Sequence, residues 1–285
     1  MGRKFLLGWF LCVPMLATAL STTQYLHQQR CLLTECPKPR LPPLVLLPGM
    51  AQSIAAWESH VPALAKDRHV LIYEPMGIGP YQEAWSDVSL PAQADRLDET
   101  LQTIWDNEAV HVAGFSLGGR IAMALGCQHP ERLRKLHLTG VSLERSDGGQ
   151  LQLMGWLDHL EHGSIRSFAW SAILATYSPA YLIQQKEKIP LWVESICKTH
   201  SVHGLRLLLE QAHDHDPAWS VAAMAQRLRV LGHLCVGEND MLGHNTEGLA
   251  HALGWLAPTI VSAAGHAVPM EAGRLWREDV KNTLR

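Results

Sequence analysis

The chain has 285 residues, 47% hydrophobic and 18% charged, which excludes a disordered or fibrous protein and allows one large α/β domain with a modest insertion. Its formal net charge is −3 with the basic residues scattered, so it carries no electrostatic footprint for nucleic acid and no polyanionic partner is expected. The six cysteines are too few and too dispersed for a disulfide scaffold.

In chain order, the basic start Met1-Gly2-Arg3-Lys4 precedes an uncharged run from Phe5 to Leu20 that includes Ala17-Thr18-Ala19. A basic n-region, a short apolar run and an A-x-A site predict a signal peptide over residues 1–20, or an uncleaved anchor. Either one implies the secretory route, to secretion, a membrane or an organelle, and membrane proximity through this segment. Residues 21–41 are polar and proline-punctuated and read as a linker. Within them Cys31 and Cys36 flank a short loop and form a candidate pair for an oxidising compartment. Cys127 and Cys235 read as buried thiols.

Leu44 to Leu47 is a continuous apolar run, the pattern of a strand buried on both faces, and it stops at Pro48-Gly49. Ser53 is placed to cap a helix through Ala55, Trp57 and Val61 to about Ala65. His69 to Tyr73 is the next strand, followed by the turn-rich Glu74-Pro75-Met76-Gly77-Ile78-Gly79. Leu90 to Trp105 is the clearest helix, with Leu90, Ala94, Leu97, Leu101 and Ile104 at spacings of three and four and Pro91 in its first turn. Ala109 to Ala113 is a strand, then come a glycine-rich turn and a helix to about Gln128. Leu133 to Thr139 is another strand.

Continuous apolar strands alternating with helices imply a mostly parallel sheet covered on both faces. From about Ser146 to Leu228 that rhythm is replaced by helical patterns, at Leu151 to Leu160, Ile165 to Ala175 and Gly204 to His213. It resumes with strands at Val230 to Val236 and Thr259 to Val261 and a closing amphipathic helix carrying Leu275, Trp276, Val280 and Leu284. The organisation is thus an α/β core over 42–145 and 229–285 with a helical cap inserted at 146–228.

The chemistry concentrates at Gly114-Phe115-Ser116-Leu117-Gly118, a G-x-S-x-G turn between a strand and a helix. In that setting the turn is a nucleophile elbow, which lifts the serine above the sheet beside a helix N-terminus that favours developing negative charge. A serine hydroxyl needs a base, and an imidazole base needs an orienting carboxylate. Asp240, in Gly237-Glu238-Asn239-Asp240, and His266, in Ala264-Gly265-His266, both lie just past strand ends, where the ligand sites of open α/β sheets form.

With LVLLPGM, EPMGIG, GFSLGG, VGEND and AGHAVPMEAG in this order, the chain resembles the α/β-hydrolase superfamily over roughly residues 42 to 285. The resemblance implies that Ser116 is the nucleophile, His266 the general base and then acid, and Asp240 the residue orienting His266. It also implies an oxyanion hole from the N–H groups of Met50 and Leu117. Two positions depart from the common pattern: Pro48-Gly49 stands where many members have His-Gly, and Glu74 where many have Asp. The expected activity is hydrolysis of a small to medium carboxylic ester or related acyl compound with an apolar part, without metal or cofactor.

Several residues have competing readings. Glu238 rivals Asp240 as the orienting acid. His111 and His137, inside strands, read as packed histidines, and His213-Asp214-His215-Asp216 reads as a polar loop before a helix rather than a metal site. Met154, Trp156, Trp170 and Trp192 in the insertion line either an acyl pocket or the core of the cap. Arg120 is a tentative substrate-binding residue, because a guanidinium near the helix start can hold a carboxylate bidentately. Its run Ser-Leu-Gly-Gly-Arg also resembles the elbow of the menaquinone-pathway lyase of the SHCHC synthase type, which handles an anionic substrate. The alternatives to an ester hydrolase are therefore a lyase or C–C hydrolase of that type and a non-catalytic binding protein on the same scaffold.

Overall fold

The computed structural model describes residues 20–27, 29–79, 85–213 and 216–285. The signal or anchor expected over 1–20 thus lies outside the described residues apart from its last position. No helix among the described residues is long and apolar enough to cross a membrane.

The described residues open with two strands, β1 (Leu20–Leu26) and β2 (Gln29–Glu35), followed by β3 (Leu44–Leu47). Short helices α1 (Ile54–Trp57) and α2 (Val61–Leu64) then lead to β4 (Val70–Tyr73) and the long α3 (Leu90–Trp105). Next come β5 (Val110–Phe115), α4 (Leu117–Gln128), β6 (Leu133–Thr139) and the two-residue β7 (Glu144–Arg145). The inserted region holds α5 (Asp147–Asp158), α6 (Ile165–Thr176), α7 (Pro179–Gln184), α8 (Ile189–Thr199), α9 (Val202–His213) and α10 (Val221–Arg227). The chain finishes through β8 (Leu231–Gly237), β9 (Gly243–His244), α11 (Thr246–Leu253), β10 (Thr259–Val261), α12 (Val268–Glu271) and α13 (Gly273–Thr283).

The main sheet runs β1-β2-β4-β3-β5-β6-β8-β10, antiparallel at β1–β2–β4 and parallel beyond. Successive side chains in a strand point to opposite faces, which explains the all-apolar runs. Val45 and Leu47 of β3, Leu71 and Tyr73 of β4, and Val110 and Val112 of β5 pack with α3, α4, α10 and α11 on one face. Leu44, Leu46, Val70, Ile72, Ala113 and Phe115 meet α1, α2 and α13 on the other. On that second face His60 lies against the rings of Trp57 and Trp276, at 5.5 and 4.8 Å between centroids. Burial, and then the charge of Arg277, pulls it down to about 4, so it packs as a neutral ring.

Three local expectations are corrected. Residues 21–41 are not simply a linker: β1 and β2 extend the sheet, with Cys31 opposite Tyr73 of β4. The prolines that suggested a linker, from Pro37 onward, all fall after β2 ends. The helix expected from Ser53 to Ala65 is broken by a 3₁₀ turn at Glu58–His60, and the Ser53 side chain makes no capping bond. In α13 Trp276, Val280 and the following Leu284 are buried, but Leu275 is half exposed.

Cys31 and Cys36 are both free and buried. Cys31 is the third residue of β2 and Cys36 follows its last, five residues of extended chain apart or about 16 Å, well beyond disulfide reach. Burial, with the charge of Glu74 adding to it, pushes the Cys31 thiol up to about 12.

The inserted helices join the core through short, specific contacts. β7 pairs antiparallel with β9, and the Ser146 hydroxyl donates to the Met241 carbonyl at 2.6 Å while capping α5 at Gly149. A second tie comes from Glu271, whose carboxylate accepts from Gly265 N–H at 2.9 Å and Ser178 N–H at 3.2 Å. These ties fix the helices over the carboxyl ends of β5, β8 and β10.

Candidate active site

Ser116 sits between the last residue of β5 and the first of α4, in a conformation (φ 52°, ψ −113°) that residues with a Cβ rarely adopt. The turn is held because Ser116 N–H donates to Thr139 O of β6 at 2.9 Å and Arg120 N–H returns to Ser116 O at 3.1 Å. Such a tight reversal needs bare backbone on either side: a Cβ on Gly114 would stand 2.6 Å from the Gly118 carbonyl oxygen. Gly119 faces the Val141 side chain in the same crowded layer.

A serine at a helix N-cap ordinarily accepts from the first-turn N–H groups. Ser116 makes no such bond, and its Oγ lies 2.9 Å from His266 Nε2. His266 Nδ1 lies 2.8 Å from Asp240 Oδ2. Those partners define the tautomer: Nδ1–H donates to the carboxylate, leaving Nε2 to accept from the serine hydroxyl. Three residues from three separate loops thereby form one line, with His266 and Asp240 both buried. Phe115 supports the imidazole from the side, at 5.0 Å between ring centroids.

Asp240 is anchored on its other oxygen, where Oδ1 accepts from Leu242 N–H at 3.0 Å and Gly243 N–H at 3.4 Å. Burial by itself raises this carboxyl. The charge and hydrogen bond of His266, with those two N–H groups, outweigh that and hold it below the usual aspartate range. Glu238 faces elsewhere, accepting from the Ser262 hydroxyl and Ala263 N–H at the surface, both at 2.8 Å. Of the two candidate acids, Asp240 is the one in contact with His266.

The N–H groups of Met50 and Leu117 have no acceptor among the described residues, and both residues line the cavity at Ser116. Leu117 is the first residue of α4, where N–H groups are free and the helix dipole favours negative charge. The loop bearing Met50 is pinned by Gln52, whose side-chain oxygen accepts from Gly49 N–H at 3.1 Å and Trp57 Nε1 at 3.0 Å.

Ser116 and His266 open into a cavity of about 580 Å³ between the sheet and the inserted helices. Trp156 and Trp192 line it, whereas Met154 and Trp170 point outward and are exposed. Arg120 lines it as well. Sequence reasoning missed Arg145, His200 and the stacked Tyr177 and Tyr181, all on its wall. Arg145 had one available signal, being the first basic residue after the strand that follows the serine's helix. His111 and His137 are packed in the sheet, the latter against Asp279 at 2.9 Å. No group of three or more metal-ligating side chains exists among the described residues, and Asp214 and His215 lie outside them.

Residues 42–161 match the family model described as the α/β hydrolase fold. An enol-lactonase from Burkholderia xenovorans superposes with a TM-score of 0.75 at 16% identity, over 92% of this chain and 98% of that one. A parallel sheet flanked by helices, with a serine at the central strand's end, therefore defines the α/β-hydrolase fold. The chain thus has the α/β-hydrolase fold, and the family model itself covers its residues 42–161. Over 96 residues, 33% of this chain, it is 38% identical to a pimeloyl-[acyl-carrier protein] methyl ester esterase of Aeromonas hydrophila. Over 112 residues, 34% of this chain, it is 35% identical to a 2-hydroxymuconate semialdehyde hydrolase of a Pseudomonas species. Each match spans 36% of that relative's length, about a third.

Proposed function

We propose that this protein is a serine hydrolase that cleaves a carboxylic ester or a closely related acyl compound through an acyl-enzyme. The observation that carries the reading is the hydrogen-bonded line from Ser116 Oγ through His266 to Asp240, opening into the cavity. The hydrolase names of the curated relatives agree with it.

In this reading Ser116 Oγ attacks the carbonyl carbon as its proton passes to His266 Nε2. The carbonyl oxygen becomes an oxyanion held by the Met50 and Leu117 N–H groups, and Asp240 stabilises the imidazolium. Collapse of the intermediate breaks the bond to the alcohol oxygen, which takes the proton from His266. Water then gives a proton to His266 as its oxygen attacks the acyl carbon, and the second collapse returns that proton to Ser116 Oγ. One ester and one water become one acid and one alcohol.

The test is a rapid-mixing assay with p-nitrophenyl butyrate. Its activated leaving group makes acylation faster than hydrolysis of the acyl-enzyme, so nitrophenolate should appear in a burst of about one equivalent per chain before steady turnover. Steady turnover with no burst, together with no acyl-enzyme mass after acid quench, contradicts the covalent route.

A further inference from the structure

The cavity wall carries two guanidiniums, those of Arg120 and Arg145, and no aspartate or glutamate among the described residues. Arg120 makes no side-chain hydrogen bond or ion pair among the described residues. Among the described residues Arg145 reaches neutral oxygens only, Ala212 O at 3.0 Å and Gln150 Oε1 at 3.3 Å. A buried cation ordinarily has an acid beside it, because removing its hydration is costly. Here burial first, and then repulsion from Arg145, pulls Arg120 down to about 9, and burial lowers Arg145 as well. A guanidinium keeps its proton in proteins, so the wall carries two positive charges.

A second, independent observation points the same way. The indole of Trp156 is buried and lines this cavity, yet its Nε1–H has no acceptor among the described residues. Two cations and an unpaired donor, with no acid among the described residues of the wall, suit an anionic group.

Position ties that anion to the reaction. Arg120 follows Ser116 by four residues, so it stands one helical turn along α4, and side chains on a helix lean back toward its N-terminus. Arg145 lies in β7, whose partner β9 begins directly after the loop holding Asp240.

We infer that Arg120 and Arg145 form a carboxylate-binding subsite, so that the preferred substrate is an ester that also bears a carboxylate. One guanidinium meets both carboxylate oxygens in a forked pair, and the second takes the remaining lone pairs. The proposal rests on the hydrolase reading for the word ester, but not for the binding of the anion.

The experiment separates the two. Binding of monomethyl glutarate and of dimethyl glutarate to Ser116→Ala is measured by calorimetry, with no turnover involved. The monoanion is expected to bind about 10- to 100-fold tighter than the neutral diester, in the range of hydrogen bonds to charged groups. Arg145→Gln, added to Ser116→Ala, should bring that ratio to near one, as should Arg120→Met if its melting curve shows a folded chain. Equal binding of the two esters to Ser116→Ala overturns the subsite. Inorganic phosphate competing as strongly as glutarate overturns its assignment to carboxylates. If the monoanion is preferred but the wild-type chain hydrolyses neither ester, the subsite stands and the hydrolase reading falls.

Discussion

Replacing Ser116 with alanine is expected to lower kcat by about 10⁵- to 10⁶-fold while leaving substrate binding nearly intact. The side chain sits in no packing role, since its hydroxyl makes no cap and its one side-chain partner is His266. Its removal therefore deletes the bond-forming atom and little else. Asp240→Asn should cost about 10⁴-fold in kcat, because an amide nitrogen facing Nδ1 favours the tautomer that presents Nε2–H to the serine. Glu238→Gln, two residues away, should change kcat by less than about twofold, since its carboxylate only ties the 262–263 turn at the surface. Steady-state kinetics on one ester with all three variants check the assignment. Equal losses from Asp240→Asn and Glu238→Gln would contradict it.

The second large effect is on folding. Gly118 has an ordinary helical backbone, so the constraint there is one of space. A Cβ would run into the carbonyl groups of Leu47 and Pro48, which are backbone and cannot rotate away. Because β3 is buried on both faces, separating α4 from it would also open the cores around it. Gly118→Ala is thus expected to destabilise the chain by about 3 kcal/mol or more, at the upper end of overpacking costs. For a chain of this size that lowers Tm by about 5–10 °C. Gly155→Ala supplies the contrast: it lies inside α5 with nothing within 4 Å of the new methyl. There the substitution should stabilise by about 0.5–1 kcal/mol, through helix propensity and reduced freedom of the unfolded chain. Thermal melts of the two variants side by side test both signs.

The parts of the fold legible in the sequence are those whose physics is local. β3 and β4 read as apolar runs because a strand covered on both faces needs apolar residues at every position, while β5, β6 and β8 interleave theirs with His111, Arg134, Lys135, His137 and His233. Ser116, Asp240 and His266 were legible because each follows a strand end, and because the glycine turn is constrained by its own backbone. The outer strands were hidden because sheet edges tolerate polar residues: β1 begins Leu-Ser-Thr-Thr-Gln, and only pairing with β2 identifies it. The break between α1 and α2 was hidden too, since Ile54, Trp57, Val61 and Leu64 keep helical spacing across it and all are buried.

The cavity wall was least legible. In α5, Leu153 and Trp156 face inward while Leu151 and Met154 are exposed, and nothing in the spacing tells a cavity from a core. Arg120 could be singled out because it touches the glycine turn. Arg145 gains meaning only when the strand pair β7–β9 brings it beside the loop that holds Asp240.

The most direct test is where a fluorophosphonate attaches. Its reaction needs a serine that is exposed, deprotonated by a neighbouring base and flanked by donors for the developing negative oxygen, all at one position. After labelling of the folded chain and proteolysis, mass spectrometry should find one adduct per chain, on Ser116. That adduct should be absent in Ser116→Ala and greatly slowed in His266→Ala. An adduct on a different serine, or full-rate labelling without His266, contradicts the assignment of Ser116 as the nucleophile activated by His266.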